Sequence, residues 1–189
     1  PVVIANGEIE LTVAEGRRLS QYVQKGGTLL VADAHLSGPG IAELKLPAAK
    51  PYREASGYQW MDAKATHESS RFRYRPISLD PKQGDRALAR APNGDVFCAA
   101  FDRGNGRIVY LSVPHGLSIS QRAVPAVARL IAHLTLGLMP IAVDGDVKWL
   151  LNKTASGWIV TLINSAGQAK PQHGITPTDC RQNRAVGIR

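Results

Sequence analysis

Asp33, His35 and Ser37 place an acid, a base and a hydroxyl within one short stretch of chain. Together they have the residue types of a serine hydrolase, in which a base takes the hydroxyl proton and a carboxylate orients the base. Triad members ordinarily come from separate segments, however, and no G-x-S-x-G elbow surrounds Ser37. Ordinary loop hydrogen bonding is the competing reading. His115 ends the run Leu111-Ser112-Val113-Pro114-His115 and is a further candidate base. The two cysteines, Cys98 and Cys180, permit one bridge at most and stand in no C-x-x-C spacing. Cys98 lies in the apolar run 96–101, where a small buried thiol is expected. Of the five histidines, His35, His67, His115, His133 and His173, none pairs at metal-ligand spacing, so no metal site is expected. His133 is expected to be structural. Gly38-Pro39-Gly40 and Gly104-Asn105-Gly106 lack the continuation of a phosphate-binding loop, so no cofactor is expected.

Binding chemistry has two sources. Arg71, Arg73 and Arg75 alternate with Phe72 and Tyr74. On a strand this puts three guanidinium groups on one face and two rings on the other. A half-buried strand with a solvated face accounts for the pattern, and an anion-facing patch is the alternative. Trp60, Trp149 and Trp158 could stack on sugar faces. Trp149 and Trp158 alternate with apolar neighbours and read as core. Trp60, beside Tyr58 and Met61 in an irregular stretch, is the better surface candidate, with lid packing over the sheet as its alternative.

The elements that must carry these groups follow from pattern and punctuation. The 189 residues suffice for one good core, or one core and a small appended piece. The hydrophobic share of 44% and charged share of 20% are those of a globular chain. No apolar run reaches the roughly 18 residues of a membrane span, so no membrane partner is expected. The net charge of +8 could favour polyanions, but the basic residues are dispersed, and no specific nucleic-acid binding is expected. Residues 1–5 form a strand candidate. Thr12 to Glu15 fits the capping box that opens a helix, and Leu19, Tyr22 and Val23 follow at helical spacing. Gly26-Gly27 closes it, and 28–32 is an apolar run suited to a strand covered on both faces. Strand, helix, strand reads as a βαβ unit.

Residues 34–66 are rich in breakers and read as loop with short elements. A strand over 71–79, interrupted by Pro76, is followed by turns. A hairpin pairs 96–101 with 107–113. A second helix carries Val127, Leu130, Ile131, Leu134 and Leu138, with Pro125 in its first turn and Gly137 and Pro140 closing it. After Pro140 the pattern turns to strands over 147–152 and 158–164, with Trp149, Leu151, Trp158 and Val160 inward. A lone hairpin is marginal in water, so this tail is expected to need cover for its apolar face. The chain opens without Met and without a signal-peptide pattern, which suggests numbering that starts inside a longer polypeptide or after a removed segment.

Three stretches carry a family resemblance. Tyr22-Val23-Gln24-Lys25-Gly26-Gly27-Thr28-Leu29-Leu30-Val31 and Gly104-Asn105-Gly106-Arg107-Ile108-Val109-Tyr110-Leu111 resemble the class I glutamine amidotransferase-like fold of β-galactosidase trimerisation domains. Asn152-Lys153-Thr154 with the run 157–164 resembles the β-sandwich segment that follows such domains in large bacterial glycoside hydrolases. The resemblance implies a flavodoxin-like α/β domain over 1–139, with helices on both faces of its sheet. It also implies a β-rich segment, a partial β-sandwich, over 140–189. Amidotransferases of this fold need a Cys on a tight elbow and a Glu two residues after the His. Here no G-x-C-x-G occurs and Leu117 stands where that Glu would be. The resemblance therefore implies a non-catalytic accessory or assembly module. Its partners would be the catalytic domain of the same polypeptide, further copies of itself, or a carbohydrate. A secreted or periplasmic location is also implied. A divergent hydrolase or amidotransferase-like enzyme using Asp33, His35, Ser37 and His115, and a carbohydrate-binding module, are the alternatives.

Overall fold

The computed structural model describes residues 1–61, 66–118, 127, 130, 131, 133, 134, 140–145, 147–164 and 183–188, with backbone alone for 66–70. The strand β1 (Val2–Ala5) is followed by β2 (Ile9–Glu10), the helix α1 (Val13–Gln24), β3 (Thr28–Ala32) and β4 (Leu36–Ser37). A short 3-10 helix spans Pro39–Leu44. Then come β5 (Arg53–Trp60), β6 (Thr66–Tyr74), β7 (Arg86–Arg90), β8 (Val96–Arg103) and β9 (Gly106–Leu111). The chain divides into two units, Pro1–Leu136 and Gly137–Arg189.

The first unit begins as its pattern requires. Thr12 caps α1: its backbone N–H donates to the Glu15 carboxylate at 2.9 Å, and the Glu15 N–H donates back to the Thr12 hydroxyl at 3.3 Å. These two bonds satisfy donors that a helix start leaves free. β1 pairs with β3 in parallel, Val2 opposite Thr28. β3 then pairs in parallel with β9, Thr28 opposite Arg107.

Beyond β9 the sheet changes character. Its order is β1-β3-β9-β8-β7-β5-β6, and the four pairings from β9 to β6 are all antiparallel. The doubly wound, flavodoxin-like (glutamine amidotransferase-like) α/β fold with helices on both faces is therefore overturned. The structure is strand-rich and its sheet is mixed. The stretch read as loop supplies β5, and β6 and β7 extend the sheet by direct antiparallel pairing, which needs no crossover helix.

Two apolar layers flank this sheet. Leu29, Val31, Ile108, Tyr110 and Phe101 face one side with Val23 of α1. Leu30, Val109, Leu111, Phe97, Tyr58, Trp60, Phe72 and Tyr74 face the other with Val127 and Leu130. Residues 127, 130, 131, 133 and 134 are helical. Val127 and Leu130 are buried, whereas Ile131, expected in the buried stripe, is 37% exposed. Leu138, Pro125, Gly137, Cys180 and His173 lie outside the described residues, as does the His67 side chain. Among the described helices none is long and apolar enough to cross a membrane.

The second unit holds β10 (Val143–Asp144), β11 (Lys148–Thr154), β12 (Gly157–Ile163) and β13 (Gly187–Ile188). β11 and β12 form a hairpin, with Trp149 opposite Leu162 and Leu151 opposite Val160. The register puts Trp149, Leu151, Val160 and Trp158 on one face, but Trp158 stays 46% exposed. Leu150, Ile159 and Ile163, on the other face, are exposed as well.

Glycines let two backbone crossings close in the first unit. A Cβ on Gly16 would overlap the Gly40 carbonyl, and one on Gly106 would overlap the carbonyls of Val23 and Gly27. In an open helix Gly→Ala is stabilising by roughly 0.5–1 kcal/mol. Here Gly16→Ala should instead destabilise by about 1–3 kcal/mol, as overpacking does. Gly106→Ala should behave alike, and urea unfolding of the two variants checks the sign.

A polar clamp fastens β5 and β6 to the turn between β7 and β8. Asp95 accepts hydrogen bonds from Tyr74 Oη at 2.9 Å, Arg53 Nη1 at 2.8 Å and Asn93 Nδ2 at 2.9 Å. Burial alone would raise its pKa, but these bonds outweigh burial and hold it below the ordinary carboxylate value. A depressed folded-state pKa adds stability above the unfolded value of about 3.9, and that stability is lost as pH falls through the lowered one. Asp95→Asn should cost on the order of 1–2 kcal/mol near neutral pH. The gap to wild type should close in acid denaturation series below about pH 4. A gap independent of pH would contradict the assignment.

Candidate functional site

The carboxyl ends of the three parallel strands converge on one cleft. After β1 the chain supplies Asn6, Gly7 and Glu8, after β3 His35, and after β9 Pro114, His115 and Ser118. Tyr52 and Arg73 complete the lining of a space of about 630 Å³. This is the range of small-molecule sites, and strand carboxyl ends are where such sites form in parallel sheets.

Asp33 is not among these lining residues but fixes one of them, Tyr52. The Asp33 backbone N–H donates to the Leu111 carbonyl at 2.9 Å, which extends the β3–β9 ladder by one bond. Its Oδ2 accepts from Tyr52 Oη at 2.7 Å and from Arg75 Nε at 2.9 Å, and its Oδ1 from Tyr110 Oη at 3.3 Å. Arg75 also donates to the Lys50 carbonyl at 2.7 Å, and its guanidinium lies 3.9 Å from the centre of the Tyr52 ring. Burial, reinforced by the Asp33 carboxylate, pushes both phenols above their ordinary pKa. Both therefore stay protonated and donate. A carboxylate that accepts three such bonds orients its surroundings, and its lone pairs are largely taken.

His35 is 3% exposed and uses both ring nitrogens. The Leu117 N–H donates to Nε2 at 3.2 Å, so Nδ1 carries the proton and donates to the Gly7 carbonyl at 2.8 Å. The ring thus ties the loops after β1, β3 and β9 together. His115 sits edge-on to it, with ring centres 5.7 Å apart, and is exposed. The His115 N–H donates to the Asp33 carbonyl at 2.8 Å.

The residues singled out from the sequence are thus partly assembled. Asp33, His35 and His115 meet at one strand end. Ser37 belongs to β4, and its hydroxyl reaches the Ile9 carbonyl at 3.4 Å, with no described hydrogen bond to either histidine. Cys98 is buried in mid-sheet, and burial pushes its thiol well above the ordinary value, away from reactive thiolate. Arg73 and Arg75 face Tyr52, whereas Arg71 pairs with Glu54 at 3.3 Å and lines a different recess. Trp60 is corrected as a surface candidate and takes the packed alternative: it is 2% exposed, in the core and edge-on to His133, so neither ring face is open to a sugar. Trp158 is exposed, with Lys153 Nζ 5.7 Å from its ring centre. Sequence reasoning missed Asn6, Glu8, Tyr52 and Tyr110. The first two follow a parallel strand, and the strand-end rule that marked Asp33 and His35 applies equally to them.

Neither a family model nor a curated protein matches the chain. Solved structures do. The β-galactosidase from Bacillus circulans sp. alkalophilus is similar over 88% of this chain and 27% of its own, at 15% identity and a TM-score of 0.60. A catalytic mutant of the GH42 β-galactosidase from G. stearothermophilus is similar over 82% of this chain and 24% of its own, at 11% identity and a TM-score of 0.55. The unmutated enzyme gives 12% identity and a TM-score of 0.54. At such identities the likeness is one of fold, and the chain spans about a quarter of the length of these enzymes. Its fold is one that occurs within GH42 β-galactosidase chains.

Proposed function

We propose that this chain is a non-catalytic accessory or assembly module of a larger glycoside hydrolase-like protein. The observation that carries the reading is one of extent. Nearly all of this chain matches a β-galactosidase, and only about a quarter of that enzyme is matched in return. The site chemistry supports it. Asp33 and His35 spend their hydrogen-bonding capacity on holding loops together, and the hydroxyl of Ser37 is directed to a backbone carbonyl. Acyl transfer or glycoside hydrolysis needs a nucleophile or carboxylate pair facing the substrate. The catalytic domain of the same polypeptide is the natural partner, and further copies of the module are a second.

The isolated chain should turn over neither an aryl β-galactoside nor glutamine. Reproducible turnover that His115→Ala or Ser37→Ala abolishes would refute the non-catalytic reading. Sedimentation velocity tests the assembly half, which a chain that stays monomeric at every concentration would remove.

A further inference from the structure

The cleft at the ends of β1, β3 and β9 keeps binding capacity after its internal bonds are counted. Asp33 and Arg75 neutralise each other at 2.9 Å. Arg73 stands outside that pair. Its guanidinium lies 4.7 Å from the centre of the Tyr52 ring and makes no ion pair among the described residues, because its cross-strand neighbour Glu54 pairs with Arg71 instead. A guanidinium on an aromatic ring spends its face on that contact. Its in-plane fork of N–H donors stays available, and the fork fits a carboxylate with two parallel bonds. Tyr52 is itself fixed by Asp33, so the ring under Arg73 is held in place.

The rest of the lining holds no second guanidinium or ammonium group. Glu8 adds a carboxylate with no described hydrogen bond or ion pair, Asn6 a carboxamide, and His115 an exposed imidazole. Two of the loops are also conformationally costly. Ala34 at φ 64° and His115 at φ 50° occupy the left-handed region that side chains other than glycine avoid. The bond from the His115 N–H to the Asp33 carbonyl locks one loop to the other. Strain of this kind persists where the surroundings over-determine it, and it gathers at ligand sites.

We infer that this cleft binds a hydroxylated monocarboxylate, a sugar acid being the simplest kind. Arg73 takes the carboxylate, Glu8 and Asn6 take hydroxyl groups, and His115 closes over the ring. The charges select this class. A neutral sugar leaves the fork of Arg73 unmatched. A phosphate or dicarboxylate brings a second negative charge toward Glu8. An apolar ligand would strip water from four polar groups without replacing their bonds. The inference does not rest on the accessory-module reading and holds for any parent protein.

Calorimetric titration of the whole chain with D-glucuronate, D-glucose and acetate tests it. Glucuronate should bind at least about tenfold more tightly than glucose, since only the acid engages the charged fork. It should exceed acetate by a similar factor, which separates a sugar acid from any small carboxylate. Arg73→Gln should weaken glucuronate about tenfold or more, and Arg73→Lys should fall between, keeping charge without the fork. Glu8→Gln should weaken glucuronate and leave acetate unchanged. Arg86→Gln is the control: Arg86 pairs with Asp102 beside the β8–β9 turn, and its loss should alter nothing. Arg73 is exposed, so its variants should keep the wild-type unfolding midpoint. Should Arg73→Gln unfold, Arg73→Lys and Glu8→Gln carry the decision. Equal binding of glucuronate and glucose, acetate matching glucuronate, no binding of glucuronate, or indifference to Arg73 and Glu8 would each overturn the inference.

Discussion

The close approach of three backbones at the start of β3 and β9 is the constraint on which the first unit rests. The end of α1 and the Gly26-Gly27 bend meet the Gly104-Asn105-Gly106 turn backbone to backbone. The Asn105 N–H donates to the Gln24 carbonyl and the Arg107 N–H to the Gly27 carbonyl, each at 3.1 Å. Gly106 faces carbonyls of both Val23 and Gly27. These contacts set Thr28 opposite Arg107, and a parallel ladder then carries that register to Ala32 opposite Leu111. One step further, Asp33 bonds Leu111 and His115 bonds Asp33. Glycines at one end of the sheet thereby decide which side chains meet at the other. A one-residue slip would turn every apolar residue of β3 to the opposite layer.

The cleft shows how residue type and chemical role separate. Acid, base and hydroxyl stand close in sequence, yet the fold spends each on something else. Asp33 accepts from two phenols and a guanidinium, His35 bridges three loops, and Ser37 sits in a two-residue strand. Buried polar groups must be hydrogen-bonded, and here the partners are backbone carbonyls, a backbone N–H and fixed side chains of the fold itself. Binding capacity remains with groups the internal network does not consume, chiefly Arg73 and Glu8.

Legibility followed periodicity. β1, α1 and β3 could be read because a capping box, a helical stripe and an apolar run each carry a local signal. The β8–β9 hairpin could be read because a glycine-rich turn separates two apolar strands. β5 and β7 could not. Their pairing shifts register between Ala55 and Gly57, between Ala87 and Ala89, and between Ala89 and Arg90. Each shift breaks the period-2 alternation by which strands are recognised. The choice between surface and packed places for Trp60 stayed open for the same reason, since an irregular stretch looked like a loop. The Asp33 partners were hidden by distance along the chain. Tyr52, Arg75 and Tyr110 stand 19, 42 and 77 residues away, and only the sheet order brings them together.

The mixed sheet explains why the cleft has its particular chemistry. In a doubly wound sheet, helices would follow every strand and cover the faces. Here β6 and the segment after it turn back across the strand ends. The Arg75 N–H donates to the Ser112 carbonyl at 3.1 Å, and the Ile77 N–H donates to the Val96 carbonyl at 2.8 Å. The alternation in β6 then does two things at once. Phe72 and Tyr74 are buried against Phe97, while Arg73 and Arg75 are carried to Tyr52. Parallel strands supply the loops and the strained backbone, and antiparallel strands supply the cations. Neither half alone would place a guanidinium fork over a ring that is itself fixed at the carboxyl end of a parallel strand.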